Sequence, residues 1–130
     1  MKAQQIMNRP VIAAMKTATA KDVATQMLIW GFSGMPITDR DGSVVGIVSE
    51  LDLIRVLRAG KALETTTAAD IMTRDVIAVD VDASVDEVME ILDAQHVVRI
   101  PVLEDGKLVG VISRPDVLRA AIEPNSIRFS

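Results

Sequence analysis

The sequence predicts an α+β protein, two β-α-β-β-α repeats packed sheet to sheet about a pseudo-twofold axis. Three observations lead there. The string Gly106-Lys107-Leu108-Val109-Gly110-Val111-Ile112-Ser113-Arg114-Pro115-Asp116-Val117-Leu118-Arg119 closely repeats Gly42-Ser43-Val44-Val45-Gly46-Ile47-Val48-Ser49-Glu50-Leu51-Asp52-Leu53-Ile54-Arg55. Each copy reads as a glycine turn, a strand rich in Val and Ile, and a helix opened by Ser-x-x-Asp. Second, each copy offers only a small sheet, two helices and one bare apolar sheet face, too little for a core of its own, so the copies are expected to face each other. Third, 130 residues, 49% hydrophobic and 25% charged, suffice to bury such a core and argue against disorder. The expected divisions are residues 1–58 for the first repeat, 59–67 for a linker, 68–122 for the second repeat and 123–130 for a tail.

Each repeat opens on an Ile-Met pair, Ile6-Met7 and Ile71-Met72, which read as core plugs. Short apolar strands are expected at Val11-Ile12-Ala13 and Val76-Ile77-Ala78. A helix follows in both copies. Val85, Val88, Met89 and Leu92 fall at i, i+3, i+4 and i+7, with Glu87, Glu90 and Asp93 opposite and Ser84 as N-cap. Ala20, Val23, Ala24 and Met27 supply the matching stripe in the first copy. There Leu28, Ile29 and Trp30 stand where the second copy has Asp93, Ala94 and Gln95. The next strands contain Pro36 and Pro101, and because proline cannot donate to a ladder both are expected at strand starts or edges. Asp39-Arg40-Asp41-Gly42 and Glu104-Asp105-Gly106 then turn each chain into a hairpin. Ala59 to Thr67 shows no strong period and reads as the linker. The tail, Glu123 to Ser130, is expected either to be loose or to dock on a partner chain.

The Ser-x-x-Asp junctions, Ser49 with Asp52 and Ser113 with Asp116, carry two meanings. A Ser N-cap accepts from the amide three residues on, and an acid there bonds back to the cap. A helix N-terminus at the end of a strand also faces anions, and an Asp there can accept both hydroxyls of a ribose. Duplication does not separate a copied cap from a copied ligand site, so both readings stand at this point.

Other chemistries find little footing. The chain has no Cys, one His, no Gly-x-Ser-x-Gly, no phosphate-binding Gly-rich loop and no metal-ligand cluster, so neither catalysis nor a metal is expected. Asp80, Asp82, Asp86 and Glu87 are explained as strand-end and first-turn charges. His96 is read as a helix-terminus residue rather than a ligand. A net charge of -4, two Phe, one Trp and no Tyr argue against a nucleic-acid surface. No apolar run is long enough to span a bilayer and the N-terminus lacks a signal-peptide core, so a cytoplasmic location is the expectation.

Taken together these residues resemble the cystathionine-β-synthase (CBS) domain, in its tandem-pair or Bateman-module form. The resemblance covers about residues 3–58 and 68–121. Its marks are Ile-Met-x-Arg, Met35-Pro36-Ile37 and Ile100-Pro101-Val102, an Asp-Gly turn, and Gly-Ile-Val-Ser-x-x-Asp with Gly-Val-Ile-Ser-x-x-Asp, all twice and in register. It implies a regulatory module without chemistry of its own. Its ligands would contain adenosine, commonly AMP, ADP or ATP and sometimes S-adenosylmethionine or a dinucleotide, bound in clefts between the repeats.

Carried onto this chain, the resemblance makes Asp52 and Asp116 ribose acceptors, with Ser49 and Ser113 beside the phosphate. Adenine would lie against Val11-Ile12-Ala13 or Val76-Ile77-Ala78. The family's cation before the apolar-Pro pair is Arg99 in the second copy and Gly34 in the first. It would serve the Ser49/Asp52 cleft and leave the Ser113/Asp116 cleft with no equivalent charge. Where the family often has a His before that cation, this chain has Val98.

A ligand-free dimerisation or interaction module is the alternative, since capping alone explains Ser-x-x-Asp. A homodimer is expected in either case, because Leu28, Ile29 and Trp30 widen the apolar arc of their helix beyond its core stripe. CBS pairs commonly assemble through their helices into discs of four repeats. The plain alternative folds Trp30 back over its own sheet.

Overall fold

A computed structural model describes residues 1–9, 11–95 and 97–122. The order is α1 (Ala3–Ile6), β1 (Ala14–Met15), α2 (Ala20–Trp30), β2 (Gly34–Thr38), β3 (Val44–Ser49) and α3 (Glu50–Arg58). A 3-10 turn (Leu63–Thr65) follows, then α4 (Ala68–Ile71), β4 (Val79–Asp80), α5 (Val85–Ala94), β5 (Arg99–Glu104), β6 (Lys107–Ser113) and α6 (Arg114–Ile122). The class is α+β, with two three-stranded sheets of order β1-β2-β3 and β4-β5-β6. In each the first strand is parallel to the second and the second antiparallel to the third. The expected tail and His96 lie outside the described residues.

The compact units do not follow the sequence repeats. One unit joins Met1–Val11 to the chain from Ile77 onward, and the other is Ile12–Val76. The opening segment of each repeat is therefore lent to the other repeat's sheet. In the first unit the Ala3 amide donates to the Ala83 carbonyl at 2.7 Å, and Asn8 pairs with Val111 on the outer edge of β6. In the second, the Ala68 amide donates to the Ala18 carbonyl at 2.8 Å, and Thr73 pairs with Ile47 on the outer edge of β3. The same backbone bonds serve both units, with the donor segment exchanged. They also cover an edge that would otherwise be open to pairing.

The Ile-Met pairs accordingly plug the sheet of the other repeat. Ile6 and Met7 join the core of Val79, Val88, Ile100, Val102 and Ile112. Ile71 and Met72 join that of Val23, Met27, Met35, Ile37 and Val48. Each methionine lies flat on a glycine of the third strand. A Cβ at Gly110 would stand 2.3 Å from the Met7 sulfur, and one at Gly46 2.5 Å from that of Met72.

Pro36 and Pro101 occupy the middle of β2 and β5, the central strands of their sheets, which corrects the expectation that they start or edge a strand. Hydrogen-bond parity explains how the ladder tolerates them. Pro36 lies opposite Ile47, whose own amide and carbonyl turn outward to Thr73, so this is a pair that exchanges no bonds. Pro101 lies opposite Val111, which turns outward to Asn8 in the same way. Each proline nitrogen thus points toward the first strand, where the next ladder bond would have required an N–H.

That missing donor also corrects the expected strands at 11–13 and 76–78. The parallel pairing begins only at Ala14 opposite Ile37 and Val79 opposite Val102, one residue beyond each proline. Val11, Ile12, Ala13, Val76, Ile77 and Ala78 carry no regular secondary structure.

Two smaller differences concern packing. Met89, expected on the core stripe of α5, is exposed, and Ile91 packs inward instead. The residues read as a linker are part of the second unit: Thr66 is buried, its carbonyl accepts from the Ala20 amide at 2.7 Å, and its hydroxyl donates to the Ala62 carbonyl at 2.8 Å. One turn with its own cap bond has no period to display. The first-unit hairpin closes on Asp105 and Gly106, at φ 52° and 79°, the two left-handed residues that a tight turn requires. Among the described residues no helix is long and apolar enough to cross a membrane.

Candidate functional site

Both Ser-x-x-Asp junctions bond the acid back to the serine, and both leave a carboxylate at the end of a sheet. Ser49 ends β3 in extended conformation, and its hydroxyl accepts from the Asp52 amide at 3.2 Å. Asp52 Oδ2 accepts in return from the Ser49 amide at 2.8 Å and from its hydroxyl at 3.0 Å. In the other unit Asp116 Oδ2 accepts from the Ser113 amide at 2.7 Å and its hydroxyl at 2.8 Å. The full capping box is thus formed at Ser49, and its acid-to-serine half at Ser113. The ligand reading turns on what remains of each carboxylate.

The two carboxylates differ there. Asp52 keeps 12% of its side chain exposed, and its Oδ1 has Arg55 at 3.9 Å, an ion pair too long for a hydrogen bond. Asp116 is only 3% exposed. Its Oδ1 is ion-paired with Arg119 at hydrogen-bond distance, and its Oδ2 takes a third donor, the Asn8 amide nitrogen at 2.7 Å. An ionised carboxylate only accepts, so the amide of Asn8 must present its NH2 to it.

Arg99 pairs across the ladder with Ser113, as Gly34 pairs with Ser49. Burial lowers the Arg99 pKa from its usual value, and the negative charge of Asp116 opposes that shift. Within its own unit Arg99 thus stands across from Ser113 and within the field of Asp116.

Register also places the residues expected to meet adenine. Ile12 precedes the first β1 pair, Ala14 opposite Ile37, and so comes level with Met35 and Val48, next to the row of Gly34 and Ser49. Ile77 likewise comes level with Ile100 and Ile112, beside Arg99 and Ser113. The unladdered segments thus lie at the same end of their sheets as the capping serines. Val11 and Val76 fall in the opposite unit from the residues that follow them.

In the second unit Asp52 lines a cavity of about 790 Å³ shared with Arg55, Lys61, Thr65, Thr66 and Asp70. This volume lies within the range of small-molecule sites. Sequence reasoning missed Asn8, the two arginines and Lys61. The arginines were visible as Asp-x-x-Arg in both copies, one helical turn apart. Asn8 could have been found as a difference, since the second copy has Thr73 at that place. Among the described residues no group of three His, Asp or Glu side chains could hold a metal ion.

Comparison with known proteins gives the same two segments. The family model for the CBS domain matches residues 3–59 and 68–123. An uncharacterised protein of Methanopyrus kandleri is 33% identical over 122 residues, covering 92% of this chain and 61% of that relative, so the chain spans less than two thirds of its length. Hypoxic response protein 1 of Mycobacterium tuberculosis is 28% identical, covering 98% of this chain and 90% of the relative. The crystal structure of Hypoxic Response Protein I, which holds two coordinated zinc ions, superposes with a TM-score of 0.84, covering 92% of this chain and 98% of that one. A CBS-domain pair crystallised with 5′-methylthioadenosine and S-adenosyl-L-methionine is 26% identical, with a TM-score of 0.81 and coverage of 96% and 98%.

Proposed function

This chain belongs to the CBS-domain family, as a tandem pair, and from that premise we propose that it is a regulatory module that binds an adenosine-containing ligand of the AMP, ADP or ATP type and catalyses nothing itself. The observation that carries the reading is Asp52. Its cap uses Oδ2, its Oδ1 carries only the long ion pair to Arg55 among the described residues, and the residue lines a cavity. Ser49 and the start of α3 lie beside the phosphate. Ile12 and Ala13 supply the apolar surface and backbone edge for adenine, and Val11, Val76, Ile77 and Ala78 are their counterparts. Ser113 and Asp116 form the second junction. Arg99 is assigned to the ligand phosphate, with Arg55 and Lys61 of the cavity wall as further cations. The adenosyl ligands of the related pair support the ligand class. A cytoplasmic location belongs to the same reading.

Calorimetric titration of AMP against adenosine tests the phosphate assignment. Arg99→Ala should weaken AMP roughly 10- to 100-fold, since a bond to a charged group contributes about 1.5–3 kcal/mol, and leave adenosine nearly unchanged. Equal losses for both ligands would remove Arg99 from the phosphate.

The partner in this reading is a second copy of the chain. Leu28, Ile29 and Trp30 are 83%, 67% and 53% exposed at the end of α2. Trp30 does not fold over its sheet: it stacks on Phe32 with ring centroids 6.4 Å apart and donates to Gln26 at 3.2 Å. Leu51, Ile54 and Leu57, also exposed, add an apolar stripe on α3 that sequence reading overlooked. Trp30→Glu combined with Leu28→Lys should give a folded monomer by light scattering. A dimer of unaltered mass at low micromolar concentration would move the interface elsewhere.

A further inference from the structure

We propose that Asn8 is a specificity-determining residue: its side-chain amide occupies the Asp116 carboxylate from within the chain, so that of the two junctions only Ser49/Asp52 accepts a ligand's ribose hydroxyls. The inference rests on the ligand reading above and goes beyond it by naming which junction is closed and by what.

Two carboxylate oxygens offer about four lone-pair directions. At Asp116, Oδ2 already takes three donors, the Ser113 amide, the Ser113 hydroxyl and Asn8, while Oδ1 is held by Arg119. At Asp52 the two serine donors are the same, and among the described residues Oδ1 has only the distant Arg55. A ribose arriving at Asp116 would have to displace a 2.7 Å charge-assisted bond from a carboxylate closed to solvent. One arriving at Asp52 meets an Oδ1 whose ion pair to Arg55 is too long for a hydrogen bond.

The third donor on Oδ2 traces to one residue. Asn8 follows Ile6-Met7 as Thr73 follows Ile71-Met72, and each pairs through its backbone with the third strand of its unit, at Val111 and Ile47. The longer Asn8 side chain spans from that edge to the carboxylate. Among the described residues Thr73 makes no such bond to Asp52. Because the backbone pairing is common to both, Asn8→Thr restores the second copy's own arrangement and should preserve the fold.

Titration calorimetry with AMP on the full chain, unmodified and Asn8→Thr, is the test, with circular dichroism to confirm folding. The unmodified protein should take a single nucleotide per chain. Asn8→Thr should gain a second, and 2′-deoxy-AMP should bind that gained site roughly 10- to 100-fold more weakly. Adding Asp116→Ala should abolish the gain and spare the original site. A second equivalent site in the unmodified protein, or a single site in both proteins, would overturn the role of Asn8 and leave the ligand reading standing. No AMP binding by either protein would overturn the ligand reading and this inference with it.

Discussion

Gly46→Val and Gly110→Val should each lower stability by about 1–3 kcal/mol or more, the usual range for overpacking a close-fitted core. The added carbon would stand 2.5 Å from the Met72 sulfur and 2.9 Å from its Cβ, or 2.3 Å and 3.0 Å from those atoms of Met7. A methionine end can swing away, but its Cβ moves only with the backbone. That backbone is pinned, by Thr73 to Ile47 in one unit and by Asn8 to Val111 in the other. Urea denaturation should therefore show a lower midpoint at unchanged slope. Adding Met72→Ala to Gly46→Val should cost less than the two changes sum to, because the clash and the contact are one interaction. Unaltered midpoints for the glycine variants would mean that the exchanged segments do not lie flat on these strands.

Asp116→Ala should destabilise more than Asp52→Ala, about 2–3 kcal/mol against about 1. Both lose a cap. Each strands its serine amide, and only the first also strands the Asn8 amide, beside a buried void. Arg119 is half exposed and recovers water, so its lost pairing adds little. Thermal unfolding of the two variants side by side decides it, and equal losses would show that the extra contacts of Asp116 contribute nothing.

The class, the order of elements and the caps were legible because they are local. Ser49 and Ser84 cap where Ser-x-x-Asp and the apolar stripe place them, and Ala20, Val23 and Met27 bury as their spacing requires. What the sequence concealed is non-local. No residue pattern announces that α1 serves the sheet of the other repeat, since Ile6-Met7 would plug either. The central prolines misled because a ladder has parity: a missing donor costs a bond only on the side where one would form, and the two-residue β1 and β4 stop short of that row. The exposed α3 stripe went unnoticed because Leu53 and Val56 between its members are buried, and the run reads as core throughout.

The central claim is that a ribose is held by a carboxylate in this chain. Calorimetric titration of the unmodified protein with AMP and with 2′-deoxy-AMP tests it most directly. The account predicts binding of AMP, with the deoxy form weaker by roughly 10- to 100-fold for the lost bond to a charged acceptor. Equal affinity for the two nucleotides, or heat from neither, would contradict it.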